Sequence, residues 1–223
     1  MTTLSPDRIA QLVAVFLAEN AKLNLSALRT EEACRIGNVL DSLAFLELLP
    51  SIGNPQTLLD LGTGGGFPLL PLAMALPEMR LTGMDSTGKK VEAVKRIAAS
   101  LGIENATLVQ ARAEEAGHQP QFREKYDVVT ARALSPLPTL LEYVSPFVKV
   151  NGHAVLWKSL HIDEELAASD TAQKSCALKL EKHHRYTLPG DFGERQLLVF
   201  RKTKALDRYY PRAVGVPKKT PIA

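Results

Sequence analysis

A chain of 223 residues fits one domain with a terminal extension. At 45% hydrophobic and 23% charged it has the proportions of a globular protein that buries a core, and no run of 18 or more apolar residues marks a transmembrane helix. The formal net charge of +3 is unevenly placed: from Arg201 onward seven bases (Arg201, Lys202, Lys204, Arg208, Arg212, Lys218, Lys219) face one acid, Asp207, so the last 23 residues carry +6 and the first 200 carry −3. A near-neutral body with a basic tail points to a polyanionic partner or, more blandly, to a solvated tail that aids solubility.

Ser5-Pro6 opens the first helix with a serine cap and a proline at the first helical position. Ile9, Leu12, Val13, Phe16 and Leu17 share one face, and the helix runs to about Asn20. The apolar stretch Leu12 to Ala18 is short, is flanked by Asp7, Arg8 and Glu19, and lacks a basic leader, so it does not read as a signal peptide. A second helix is expected over Glu31–Leu49, followed by a turn-rich connector, Ser51–Gln56. Cys34 and Cys176 lie far apart with no CxxC pair, which suits buried thiols in a reducing cytoplasm and neither a disulfide framework nor a zinc site.

From Thr57 short apolar runs alternate with helical stretches. Strands are expected at Thr57–Leu61, Arg80–Asp85, Thr107–Gln110, Tyr126–Ala131 and Gly152–Trp157, with helices at Phe67–Ala75, Lys89–Leu101 and Pro138–Phe147. That alternation implies an α/β fold with a parallel sheet covered on both faces. After a helix near Asp163–Lys174, Leu178–Tyr186 and Glu194–Lys202 read as a late hairpin, a mixed-sheet feature. The implied organisation is an N-terminal helical extension (1–50), a core (51–203) and a basic tail (204–223) within one structural domain.

Leu58-Leu59-Asp60-Leu61 leads into Gly62-Thr63-Gly64-Gly65-Gly66-Phe67, a strand, a glycine turn and a helix start. Glycines there let the backbone approach a ligand, and free amides at the helix start favour electronegative groups. Asp85 lies 23 residues after Gly62, at the end of the second strand, where a carboxylate can accept both hydroxyls of a ribose. A nucleoside cofactor follows. The dinucleotide fingerprint fails, because Phe67 stands where a third glycine is required and the frame from Gly64 puts Leu69 there. Ala113-Glu114 after the third strand offers an apolar and polar edge for an adenine. Arg132 ends the fourth strand, the usual ligand edge of such sheets. Asp41 and Ser42 read equally as a helix surface or as part of a site. Lys158 reads as a phosphate contact or a solvated lysine, and Asp60 as a loop anchor or a partner for a methionine ammonium. The five histidines show no metal-ligand spacing.

Asn24-Leu25-Ser26-Ala27, Leu40-Asp41-Ser42, Leu59 to Pro68, Asp85-Ser86-Thr87-Gly88-Lys89-Lys90, Arg112-Ala113-Glu114, Ala131-Arg132-Ala133, Trp157-Lys158 and Arg208-Tyr209-Tyr210-Pro211-Arg212 occur in that order, followed by Gly215, Pro217 and Lys219. From about Asn24 to Pro221 the chain resembles the RsmG (GidB) family, the guanine-N7 methyltransferases of small-subunit (16S) ribosomal RNA. The glycine loop is generic to methyltransferases; the Leu-Asp-Ser motif, Ala131-Arg132-Ala133 and the tail are more specific. Asn38 departs from the histidine that the family usually carries there, keeping the hydrogen bonding but not the charge.

The resemblance implies a class I S-adenosylmethionine (AdoMet) methyltransferase fold, a Rossmann-like seven-stranded mixed sheet with N-terminal helices and a basic tail. AdoMet would meet Asp60, Gly62, Gly64, Gly66 and Phe67 of the first loop, Asp85 and Ser86, Ala113 and Glu114, and Arg132. Asn38, Asp41, Ser42 and Arg132 would form the catalytic set. Lys158, Arg208, Arg212, Lys218 and Lys219 would meet phosphates of ribosomal RNA or the small subunit. No metal and no membrane are expected, and a monomer is the default. The alternatives are a nicotinamide-dependent oxidoreductase and a non-catalytic RNA-binding module that keeps a vestigial pocket.

Overall fold

The computed structural model describes residues 4–222. Seven strands form one mixed sheet in the order β3-β2-β1-β4-β5-β7-β6. They are β1 (Thr57–Leu61), β2 (Arg80–Asp85), β3 (Ala106–Gln110), β4 (Tyr126–Arg132), β5 (Val148–Lys158), β6 (Leu178–Leu188) and β7 (Gly193–Lys202). β1 to β5 run parallel, and β7 lies antiparallel between β5 and β6. The expected seven-stranded mixed sheet is the observed one. Adjacent residues of β1 explain why its centre is covered twice: Leu58 enters one apolar cluster and Leu59 another, on opposite faces.

One face carries α1 (Pro6–Leu23), a helical stretch over 31–52, α5 (Leu69–Ala75) and α6 (Gly88–Ser100). The stretch comprises α2 (Glu31–Cys34), a π-helical turn (Arg35–Leu40), α3 (Asp41–Leu43), a 3-10 turn (Ala44–Leu48) and α4 (Leu49–Ile52). The other face carries α7 (Ala113–Ala116), α8 (Leu137–Val144), α9 (Asp163–Ala167), α10 (Asp170–Ser175) and α11 (Val216–Lys219). α1 starts as its sequence dictates, with the Arg8 amide donating to Ser5 Oγ at 3.3 Å. The Arg96 guanidinium reaches Glu19 at 2.7 Å and ties α6 to α1, and Phe16 meets Phe67 edge-on at 4.8 Å.

Three expected helices differ in detail. The helix over Glu31–Leu49 is broken by the π turn and continues to Ile52, because Pro50 suits the first turn of a new segment and Gly53 (φ +81°) then ends it. The helix expected from Phe67 starts at Leu69, since Gly66 (φ +90°) is still turning the chain. The helix over Asp163–Lys174 splits into α9 and α10, where the Ser169 hydroxyl donates back to the Leu166 carbonyl.

The C-terminal region expected as a basic tail is folded onto the core. The Arg123 guanidinium donates to the carbonyls of Gly117, Tyr210, Leu206 and Asp207. Arg212 pairs with Glu142 at 2.7 Å, and that carboxylate is fully buried at the heart of α8. Thr139 donates to the Pro217 carbonyl. Lys202 is also fully buried, against the Ser145 carbonyl at 2.7 Å and Glu124 at 3.4 Å, and burial pulls its ammonium down to about 8. Two of the seven late bases are therefore countered inside the protein.

Asp60, in β1 just before the glycine turn, is 1% exposed, and the Thr130 hydroxyl donates to its Oδ1 at 2.9 Å. Burial raises this carboxyl to about 6 despite that bond. The native state then holds the proton more tightly than the unfolded chain. The stability this group contributes is fully present below its unfolded value of 3.8 and is lost as pH rises through about 6. Urea titrations from about pH 4 to about pH 7 should show the wild type losing roughly 2 kcal/mol relative to Asp60→Asn; parallel pH curves for the two proteins would contradict the protonated buried carboxyl. Arg212→Ala strands the Glu142 charge in the core and should cost about 3–5 kcal/mol, read as a lower urea midpoint, with much of the loss recovered in the double variant Glu142→Leu/Arg212→Met. A midpoint unmoved by Arg212→Ala would mean that the arginine is free for another role.

Candidate functional site

The order β2-β1-β4 places the sheet's switch point beside β1, and a crevice opens over the carboxyl ends of these strands. At the end of β1 the amides of Gly62 and Thr63 both donate to the Met84 carbonyl of β2, at 2.8 and 3.0 Å. The turn needs positive φ at Gly62 (+72°) and Gly64 (+55°), and a Cβ on Gly62 would stand 2.8 Å from the Leu134 side chain. Asp85 ends β2 with both carboxylate oxygens engaged: Oδ2 accepts from the Gly64 amide at 3.0 Å and Oδ1 from the Thr87 amide at 2.8 Å. Each oxygen retains an accepting lone pair, so the carboxylate can hold the loop and a pair of hydroxyls at once.

From Asp85 the crevice runs two ways. One arm passes Ser86, Ala111 and Ala113 to Glu114, with Tyr143 and Lys218 on its wall. Glu114 Oε1 accepts from the Gly215 amide at 3.1 Å, so the C-terminal segment fixes this end. The other arm passes Gly62, Gly64 and Phe67 to Asn38 and Arg132. The pattern suits a nucleoside extended by a polar chain, with an apolar base slot, a ribose acceptor and a backbone cradle. Asp60 and Gly66 line neither arm: Asp60 is buried beneath the loop and Gly66 ends it. Asp60 Oδ2 and Thr63 Oγ1 are buried there without hydrogen-bond partners among the described residues.

Arg132 closes the second arm. Its Nη1 donates to Asp41 Oδ2 at 2.8 Å and to the Gly37 carbonyl at 3.2 Å, and its Nη2 donates to Asn38 Oδ1 at 2.7 Å. The π turn between Arg35 and Leu40 brings these acceptors to one guanidinium. Tyr186 of β6 donates to Asp41 Oδ1 at 2.6 Å, and the Trp157 indole donates to the Asp41 carbonyl at 3.1 Å. Burial, with the Asp41 carboxylate beside it, pushes the Tyr186 phenol far above its ordinary value. Asn38 fills its place as an acceptor for Arg132 and a donor to Ser26 at 3.4 Å. Ser42 is fully buried, and its hydroxyl bonds back to the Asn38 carbonyl at 2.6 Å, behind the crevice and not in it.

A second pocket adjoins this end, sharing Arg132 and Ala133 with the crevice and extending past Trp157, Tyr186 and Gln196. Lys158 is on its wall, paired with Glu165 at 2.6 Å and donating to the Ser135 carbonyl. Among the bases expected to meet phosphate, Arg208, Lys218 and Lys219 are exposed, whereas Arg212 is held by Glu142 and the Thr220 carbonyl. Sequence reasoning missed Leu134, Tyr143, Tyr186 and Gln196; only the alternation along β6 and β7 marks the last two, and it does not say what they face.

Among the described residues no group of three or more His, Cys, Asp and Glu side chains could hold a metal ion. The solved O-methyltransferase of Bacillus cereus, in complex with SAH, shares the fold with a TM-score of 0.60 at 14% identity, over 86% of this chain and 90% of that one. A ribosomal RNA small subunit methyltransferase G of Deinococcus radiodurans is 40% identical over 97% of this chain and 85% of its own length. Its counterpart in Carboxydothermus hydrogenoformans is 36% identical over 93% and 88%. The nicotinamide oxidoreductase alternative falls with these matches and with Phe67, whose ring packs against Phe16 where a dinucleotide fold requires glycine. The family model described as rRNA small subunit methyltransferase G matches residues 6–197, and the chain belongs to that family.

Proposed function

We propose that this chain transfers a methyl group from AdoMet to N7 of a guanosine in small-subunit (16S) ribosomal RNA. The observation that carries this reading is the placement of Arg132 where a nucleoside-shaped crevice meets a second, aromatic-walled pocket. Asp85 would accept the ribose hydroxyls, Ala113 and Glu114 would border the adenine, and the backbone of Gly62 and Gly64 would cradle the amino-acid arm. Bound AdoMet supplies an electrophilic methyl group on a sulfonium.

Guanine N7 presents a free lone pair in its heterocycle, so no side chain has to remove a proton before attack. The task left to the protein is alignment, which can lower a barrier by several kcal/mol. Arg132, fixed by Asp41, Asn38 and the Gly37 carbonyl, is positioned to orient both ligands. Asp41, with both carboxylate oxygens occupied, and Ser42, buried behind it, act through Arg132. Exposed Arg208, Lys218 and Lys219 would neutralise RNA phosphates, and Lys158 would meet one only by leaving Glu165. The two cysteines are free and buried, in keeping with a cytoplasmic enzyme; it would act as a monomer, alone or on the small subunit.

Label transfer from AdoMet to ribosomal RNA or small subunits, followed by mass-spectrometric mapping, tests the reading. Methylguanosine at one position is expected; S-adenosylhomocysteine binding by calorimetry without transfer to any RNA would instead mark a binding module. Arg132→Lys keeps the charge but loses the planar fork. It should lower kcat about 100-fold and, as Asn38 and the Gly37 carbonyl lose their donor, lower the melting temperature by a few degrees, with S-adenosylhomocysteine still bound; an unchanged kcat would remove Arg132 from the site.

A further inference from the structure

Four residues border both arms of the crevice: Gly62, Asp85, Ser86 and Leu134. The first three come from the ends of β1 and β2. Leu134 comes from the far side, off the end of β4. Ala133 turns the chain there through φ +53°, a left-handed conformation that disfavours any residue with a Cβ. The isopropyl end of Leu134 rests on Gly62. Its Cδ1, Cδ2 and Cγ atoms lie 2.8, 3.3 and 3.5 Å from the point where a Cβ on that glycine would stand. Leu134 is 37% exposed. An exposed leucine by itself needs no account; one held at the junction of a ligand crevice does.

AdoMet is a nucleoside and an amino-acid chain joined at one atom, a positively charged sulfur. With the adenosine in the arm that ends at Glu114 and the amino-acid chain in the arm that ends at Arg132, that sulfur belongs where the arms meet. Of the side chains there, the Asp85 carboxylate is committed to the Gly64 and Thr87 amides and to the ribose hydroxyls. Ser86 follows it directly, and Gly62 has no side chain. Resting on the methyltransferase reading above, we propose that Leu134 is the side chain that flanks the sulfonium. Its chemistry suits the task. A hydrocarbon keeps water off the sulfur and offers the cation no partner, so it does not stabilise the charge that methyl transfer removes.

AdoMet and S-adenosylhomocysteine differ by one methyl group and the charge it brings, so the ratio of their dissociation constants senses charge beside the sulfur. Both are titrated by calorimetry, at low salt, into the full chain and into Leu134→Asn, Leu134→Asp and Leu134→Lys. Asparagine and aspartate have nearly the same shape, so their difference isolates charge. Leu134→Asp should move the ratio about 10-fold in favour of AdoMet relative to Leu134→Asn. Leu134→Lys should move it by a similar factor toward S-adenosylhomocysteine. Poor folding weakens both ligands alike and cannot produce opposite signs; should one charged variant fail to fold, the other decides. Val150→Asp, exposed near the amino end of β5 and away from the crevice, should keep the wild-type ratio. A ratio unmoved by the charged variants at Leu134, or moved as far by Val150→Asp, overturns the assignment and leaves the methyltransferase reading standing. A wild type that binds neither ligand and labels no RNA overturns the reading on which the assignment rests.

Discussion

The guanidinium of Arg132 ties together parts of the chain that lie far apart in sequence. It ends β4, the strand beside the switch point, and reaches across to the π turn and to Asp41. Asp41 in turn holds Tyr186 from β6 and, through its carbonyl, Trp157 from β5. A partly buried arginine demands paired acceptors with fixed geometry, and that demand draws the π turn and Asp41 to the end of β4. It also gives Asn38 its place: the side-chain oxygen accepts from one prong of the fork, a job that requires no titration.

The sheet was legible in the sequence because its signal is local. Apolar runs such as Leu58–Leu61 and Leu81–Met84 are bounded by turn residues, and alternation with helical periods leaves few topologies. Gly62 to Gly66 and Asp85 were legible for the same reason, as a short spacing with one physical purpose. The π turn was not, since Ile36, Val39 and Leu40 satisfy a helical period whether or not one residue is inserted. The Tyr186–Asp41 bond joins residues 145 positions apart, and neither carries a local mark of the other.

Charge was the least legible property. The excess of bases after Arg201 reads as an open polycation, yet Arg212 and Lys202 are neutralised by Glu142 and Glu124, acids that look like helix surface or loop in the sequence. Formal charge counts side chains wherever they sit, while the field that RNA senses comes from those left facing water. Of the five exposed bases, Arg208, Lys218 and Lys219 lie on a segment that the core holds through Arg123, so these charges are presented at fixed positions and not on a mobile arm.

The docking of that segment has a consequence for how the protein is made. Synthesis delivers the sheet from its N-terminal strands onward, but the crevice is finished late. Gly215 must reach Glu114, and Lys218 must reach the wall beside Ala113. Until residues 206–219 have left the exit tunnel, the nascent chain can hold a nearly complete sheet and still lack one end of its ligand cleft. A chain ended before this segment would keep the residues of all seven strands and lack the two contacts that close one end of the cleft.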